Sequence, residues 1–205
     1  MWGMMRMNAK KVVLMMMALL SGCGGSSPLG NSPTITNAVQ TTNQALSFAY
    51  FQRCINPIFL TQLQTQLNGT TVTNTCAAAG CHAAATGAGG ALRIVPTAQV
   101  QDLTNLANTE AVLRATDMYK NFYSAQGEVV IGSPLLSRLL DKPELNNTLH
   151  GGGLIFPAPA SDSHVALITY WISHPAPIGQ DEFSPATYNM FTPAGDPMSG
   201  TCNTQ

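Results

Sequence analysis

The sequence predicts an all-α fold, a single helical domain with long loops and an irregular carboxyl-terminal tail. Three observations point there. Apolar residues recur at helical intervals in several separate stretches of the 205-residue chain. Proline, glycine and Asn-Gly punctuation cuts those stretches into short lengths. No alternation of strands and helices suggests a nucleotide-binding fold, and no internal repeat is visible. The length suits one domain with a real core and is too short for two large ones.

Residues 1–22 read as an export signal. Arg6, Lys10 and Lys11 form a positive start, and Val12 through Leu20 is an apolar run too short to span a bilayer comfortably. Leu20-Ser21-Gly22-Cys23 has the form of a bacterial lipobox, with cleavage before Cys23 and lipid on its sulfur. A plain signal peptide cut nearby, or a short uncleaved anchor, are the alternatives. Gly24 rather than Asp follows the cysteine, which by resemblance to bacterial lipoprotein sorting favours the outer membrane. The expected location is therefore lipid-anchored, on the periplasmic face of the outer membrane or at the cell surface. Residues 23–36, rich in Gly, Ser, Asn and Pro, read as a flexible tether.

Residues 37–178 form the expected helical domain. Ala45, Phe48, Phe51 and Ile55 fall at helical intervals until Pro57, which should break or kink the helix near Asn56. A second helical piece is expected through Ile58, Phe59, Leu60, Leu63 and Leu67, closed by Asn68-Gly69. Residues 83–90 are small, so their backbone can approach a flat group closely, and 91–96 form a short apolar segment. Helical pattern returns from Ala98 to Gln126, with Asn108-Thr109-Glu110 dividing it. Ser133-Pro134 opens a short helix that ends before Lys142-Pro143. Gly151-Gly152-Gly153 lets the backbone approach something closely or take positive φ. Ser161-Asp162 caps a last amphipathic helix carrying Val165, Ile168 and Ile172. Residues 179–205 read as a polar tail.

The chemistry centres on Cys76-Ala77-Ala78-Ala79-Gly80-Cys81-His82. Two cysteines followed at once by a histidine suit covalent haem attachment: each thiol adds across a haem vinyl group, and the adjacent imidazole becomes an axial iron ligand. Four residues separate the cysteines where two are common. Cys23 sits at the processing site, which leaves Cys54 and Cys202. In an exported protein that even remainder is most simply a disulfide, and the loop entropy it removes is on the order of 4–5 kcal/mol.

Charged residues are only 9 % of the chain. Three of the nine Lys/Arg lie in residues 1–22, which leaves six against ten Asp/Glu, a formal charge of −4. That excludes a nucleic-acid surface, which needs clustered cations. It is compatible with an acidic electron carrier that meets basic partners.

Phe51-x-x-Cys54-Ile55-x-Pro57-Ile58-Phe59, Cys81-His82, Gly90-Ala91-Leu92, Ser133-Pro134-Leu135-Leu136, His150-Gly151-Gly152-Gly153 and Trp171-Ile172 together resemble a bacterial c-type cytochrome domain of the planctomycete-type cytochrome family. The resemblance covers residues 45–178. It implies an all-helical domain whose first and last helices cross over one covalent haem c. It also implies that the His-Gly-Gly-Gly segment lies where a methionine loop would otherwise be.

His82 is the expected proximal ligand. His150 is the first choice for the distal ligand, with Met118, Met190 and Met198, or an open or other-ligand position, as the alternatives. His164 and His174 flank the last helix as capping or solvated residues, and Arg93 is a candidate partner for a haem propionate. The expected function is electron transfer by a monohaem lipoprotein that exchanges electrons with partner redox proteins. Two alternatives stand beside it: a haem enzyme or gas sensor of peroxidase type, with His150 or His164 as distal base, and a haem-free surface interaction protein. Zinc at Cys76, Cys81 and His82 lacks the paired four-ligand spacing.

Overall fold

The first helix of the structure runs through a proline without breaking. This helix, α1, joins an α-helical start (Phe48–Tyr50), a π-helical turn (Phe51–Ile55) and an α-helical end (Asn56–Leu60). Pro57 has no N–H for the Arg53 carbonyl. The chain responds by widening: the Asn56 N–H reaches the Phe51 carbonyl five residues back. The break expected at Asn56 is thus absorbed as a π turn.

The structure, a computed structural model, describes residues 44–205, all within the contact unit Ala38–Gln205. The export signal, the lipobox with Cys23 and the whole of the tether lie outside the described residues. No described helix is long and apolar enough to cross a membrane.

Four further helices follow: α2 (Glu110–Arg114), α3 (Asp117–Gln126), α4 (Arg138–Asp141) and α5 (Ser163–Ser173). Three of the four starts are set by side chains that accept backbone N–H bonds, Thr109 for α2, Thr116 for α3 and Asp162 for α5. The core forms where α1, α3 and α5 meet. Phe122 stands edge-on to Phe48 and Phe51, each 5.5 Å away, and Trp171 packs against Phe51 at 5.5 Å. The Trp171 indole N–H donates to the Ser47 carbonyl at 3.0 Å, so the polar end of a fully buried side chain is satisfied.

The all-α expectation does not hold. The fold is mixed, with two small antiparallel sheets. Strands β1 (Leu63–Leu67) and β2 (Thr70–Asn74) form a hairpin where a helix through Leu67 was expected. Asn68 and Gly69 both have positive φ, 50° and 77°, the geometry of a type I′ turn. They reverse the chain rather than end a helix. Strands β3 (Phe191–Thr192) and β4 (Thr201–Cys202) pair within the tail.

The tail also contributes to the core. Met190 and Phe191 are buried, and Phe183 packs on Phe48 and Tyr119. Arg114 lies over the Phe183 ring and bonds Glu110 and Glu182 at 3.0 Å. A disulfide joins Cys54 in α1 to Cys202 in β4, 148 residues apart.

Candidate functional site

The segment Cys76–His82 is folded on itself. The His82 N–H bonds the Cys76 carbonyl at 2.9 Å, and the N–H groups of Cys81 and Ala83 both turn back to the Ala78 carbonyl. Gly80 takes φ +80°, so the four residues between the cysteines form a compact turn. Cys76 and Cys81 are free thiols. Burial, and to a lesser extent the neighbouring Cys81, push Cys76 up to about 11, so it keeps its proton at neutral pH.

His82 is held by the segment that follows it. The Ile94 N–H bonds the His82 carbonyl and the Ala84 N–H bonds the Ile94 carbonyl, both at 2.7 Å. The Leu92 carbonyl lies 3.1 Å from His82 Nδ1, which fixes the proton there and leaves Nε2 with a free lone pair. Burial is the largest influence on this ring and holds its pKa below the ordinary imidazole value. The Leu92 bond opposes that shift and the His150 charge adds to it. The small residues after His82 are packed against the motif. A Cβ on Gly89 would come within 2.8 Å of the His82 ring, and one on Gly87 within 2.6 Å of the Cys81 carbonyl oxygen. Arg93 donates to the Gly87 carbonyl at 2.7 Å. It ties down this loop and is not among the residues that line the cavity beside it.

His150 sits in a loop held from both ends. Its Nδ1 lies 2.9 Å from the Gly153 carbonyl, and the Gly153 N–H returns to the His150 carbonyl at 2.9 Å. Again the backbone occupies Nδ1 and Nε2 is left free. Gln66 of β1 and Leu154 exchange both backbone bonds, at 2.8 and 3.0 Å, and the Thr65 hydroxyl donates to the Gly152 carbonyl. On the other side Ile155 donates to the Pro143 carbonyl at 2.8 Å. Gly153 has φ +80°, and a Cβ there would overlap the Gln66 carbonyl. The glycine run therefore has a stated use: it lets the loop lie flat against β1. The hairpin missing from the sequence reading is the element that carries His150.

The two imidazoles meet across one cavity. Their ring centroids are 6.1 Å apart and their planes differ by 8°. The cavity, about 600 Å³, is lined by both rings, by Cys76 and Cys81, and by a mainly apolar wall that includes Phe59, Leu139 and Ile168. That volume falls in the ordinary range for a small-molecule site. Of the other expected ligands, Met118 and Met190 are buried in the core, and neither they nor Met198 line the cavity. His164 bonds the capping Asp162 and packs on Phe156, and His174 bonds the Tyr170 carbonyl; both are outside the cavity.

No family model matches this chain, and no curated protein or solved structure matches it.

The donor set is thus judged on its own geometry. Among the described residues no three His, Cys, Asp or Glu side chains gather as a metal cluster. A bare-ion site is therefore not favoured by the residues present. A porphyrin brings four nitrogens of its own and asks the protein only for axial ligands. Two metal–imidazole bonds of about 2 Å, with each nitrogen about 1 Å from its ring centre, place the ring centres roughly 6 Å apart. The observed spacing fits that value. Both rings also have the Nδ1–H to carbonyl bond that metal-ligating histidines usually carry.

Proposed function

We propose that this chain is a monohaem c-type cytochrome with two histidine axial ligands, acting in electron transfer. The observation that carries the reading is the pair of near-parallel imidazoles across a cavity that both thiols of the Cys76–His82 segment also line. In this reading the thiols of Cys76 and Cys81 would hold the haem through thioethers to its vinyl groups, and His82 and His150 would hold its iron through Nε2. The bound haem supplies an iron that cycles between the ferrous and ferric states. The Leu92 and Gly153 carbonyls orient the two rings, and the apolar wall limits water at the cavity. With His150 in place no axial position is open to a substrate, so the electron-transfer role is favoured over peroxidase-type chemistry. Export, lipid attachment at Cys23 and exchange with partner redox proteins belong to the same reading and rest on the sequence. Loss of palmitate labelling in Cys23→Ala tests the anchor.

The test of the site is expression beside a c-type maturation system. Haem should stay with the chain on a denaturing gel, and the native spectrum should be low-spin and unmoved by carbon monoxide. His150→Ala should keep its covalent haem, become high-spin and bind carbon monoxide. An unchanged low-spin spectrum in that variant removes His150 as a ligand. A colourless wild-type band removes the haem.

A further inference from the structure

The cavity has a charged side that the attachment motif does not explain. Among the described residues there are six Lys or Arg. Arg114 is paired with carboxylates, Lys120 with Asp117, and Arg93 with the Gly87 carbonyl. Arg53 does not line the cavity. The two that do are Arg138 and Lys142, one turn apart at the beginning and just past the end of α4. Neither side chain has a hydrogen-bonded or ion-paired partner among the described residues, although both are half-buried. One carboxylate, Glu128, lines the same cavity. Two cations against one anion leave that wall positive. An otherwise apolar cavity with unpaired cations at its wall fits an apolar ligand that carries acidic groups.

Resting on the haem reading above, we infer that Arg138 and Lys142 receive the haem propionates and so fix which edge of the ring faces α4. The chemistry of the ring supports this. Its two vinyls lie on one edge and its two propionates on the opposite one. Thioethers to Cys76 and Cys81 commit the vinyl edge to the loop after β2, so the propionates must find partners elsewhere on the wall. Arg138 offers a planar fork that matches a carboxylate, and Lys142 a compact charge on a flexible stem.

The experiment uses the mature holoprotein. Resonance Raman propionate-bending bands of the wild type should sit at the position of hydrogen-bonded carboxylates. In Arg138→Gln/Lys142→Gln they should move to the position of solvated ones. The midpoint potential of that variant should shift down, because a nearby cation disfavours the ferric state. Arg138→Lys should recover most of the wild-type potential. Lys120→Gln, which removes an equal charge paired outside the cavity, should leave both readouts unmoved. Wild-type bands at the solvated position overturn the inference even if the double variant fails to mature. Unmoved bands and potential in a variant that does mature overturn it as well. In both cases haem staining of the wild type remains, so the inference fails alone. A wild type without covalent haem fails the functional reading itself.

Discussion

His82 and His150 occupy equivalent positions on two sides of one cavity, yet they are held by different kinds of structure. Every backbone bond that fixes His82 comes from within twelve residues of it: the Cys76 carbonyl before, and Leu92 and Ile94 after. His150 makes one local turn with Gly153. Its loop is then placed by β1, more than eighty residues earlier in the chain, and by Pro143. The proximal ring is fixed by bonds near it in the chain, in a loop that Phe59 and Ser124 also tie to the helices; the distal ring depends on a docking contact between its loop and β1. A local arrangement writes itself into a short motif. A docking contact leaves only indirect traces, here three glycines and an Asn-Gly turn.

The largest effect should come from the proximal side. Cys76→Ser/Cys81→Ser removes both attachment points without altering the hydrogen bonds that shape the loop. All covalent haem should be lost on a denaturing gel, while the apoprotein keeps its circular dichroism. Retained colour would show that the motif is not the attachment site and would collapse the contrast between the two sides.

The next effect tests whether the contrast is more than overall stability. Neither cysteine of the Cys54–Cys202 bridge lines the cavity. Cys54→Ala/Cys202→Ala should cost about 2–5 kcal/mol, read as a lower denaturation midpoint. The native spectrum should be unchanged. A variant that also turns high-spin would mean that the distal contact simply follows global stability.

What was legible in the sequence follows the same division. Helix α5 was visible because its apolar period is regular and Ser161-Asp162 marks its start, whereas α3 was visible only as the end of a stretch from Ala98 whose first part, 98–109, is not helical. The hairpin was missed because Leu63 and Leu67 are four apart, which satisfies a helix face and, with Thr65 between them, a strand face equally. Asn68-Gly69 was read as a helix end. Its stronger meaning is a two-residue hairpin turn, and the Thr-rich run after it supports that. His150 was named from its glycines, but nothing local shows that Gly153 lies on Gln66. Arg138 and Lys142 look like an ordinary solvated helix face until the cavity beside them is seen.

Gly153→Ala acts on the distal side, at the contact with Gln66 and at the local turn with His150. A left-handed backbone costs an alanine about 1–2 kcal/mol, and its methyl group would also overlap the Gln66 carbonyl. The Gln66–Leu154 pair should open and His150 should move. The expected result is full covalent haem with a mixed high- and low-spin spectrum at rest. A wholly low-spin Gly153→Ala would mean that His150 reaches the iron without the hairpin, and the distinction between the two sides would lose its physical basis.

Thr65→Val is the finest test. It keeps the shape of the side chain and removes the single hydroxyl that β1 donates to the Gly152 carbonyl. One such bond contributes about 0.5–1.5 kcal/mol net, and the Gly152 carbonyl remains near solvent, so the resting spectrum should stay low-spin. The change should appear in the minor open state. Carbon monoxide can bind only when His150 has left, so its second-order rate at low concentration follows the population of that state. A loss of about 1 kcal/mol raises that population, and the rate, by about fivefold. The corresponding proximal substitution, Ser124→Ala, removes a 2.6 Å bond to the Arg93 N–H and should leave the rate unchanged. Equal acceleration by both would mean that the two histidines share one opening motion, with the hairpin holding the whole cavity rather than its distal side.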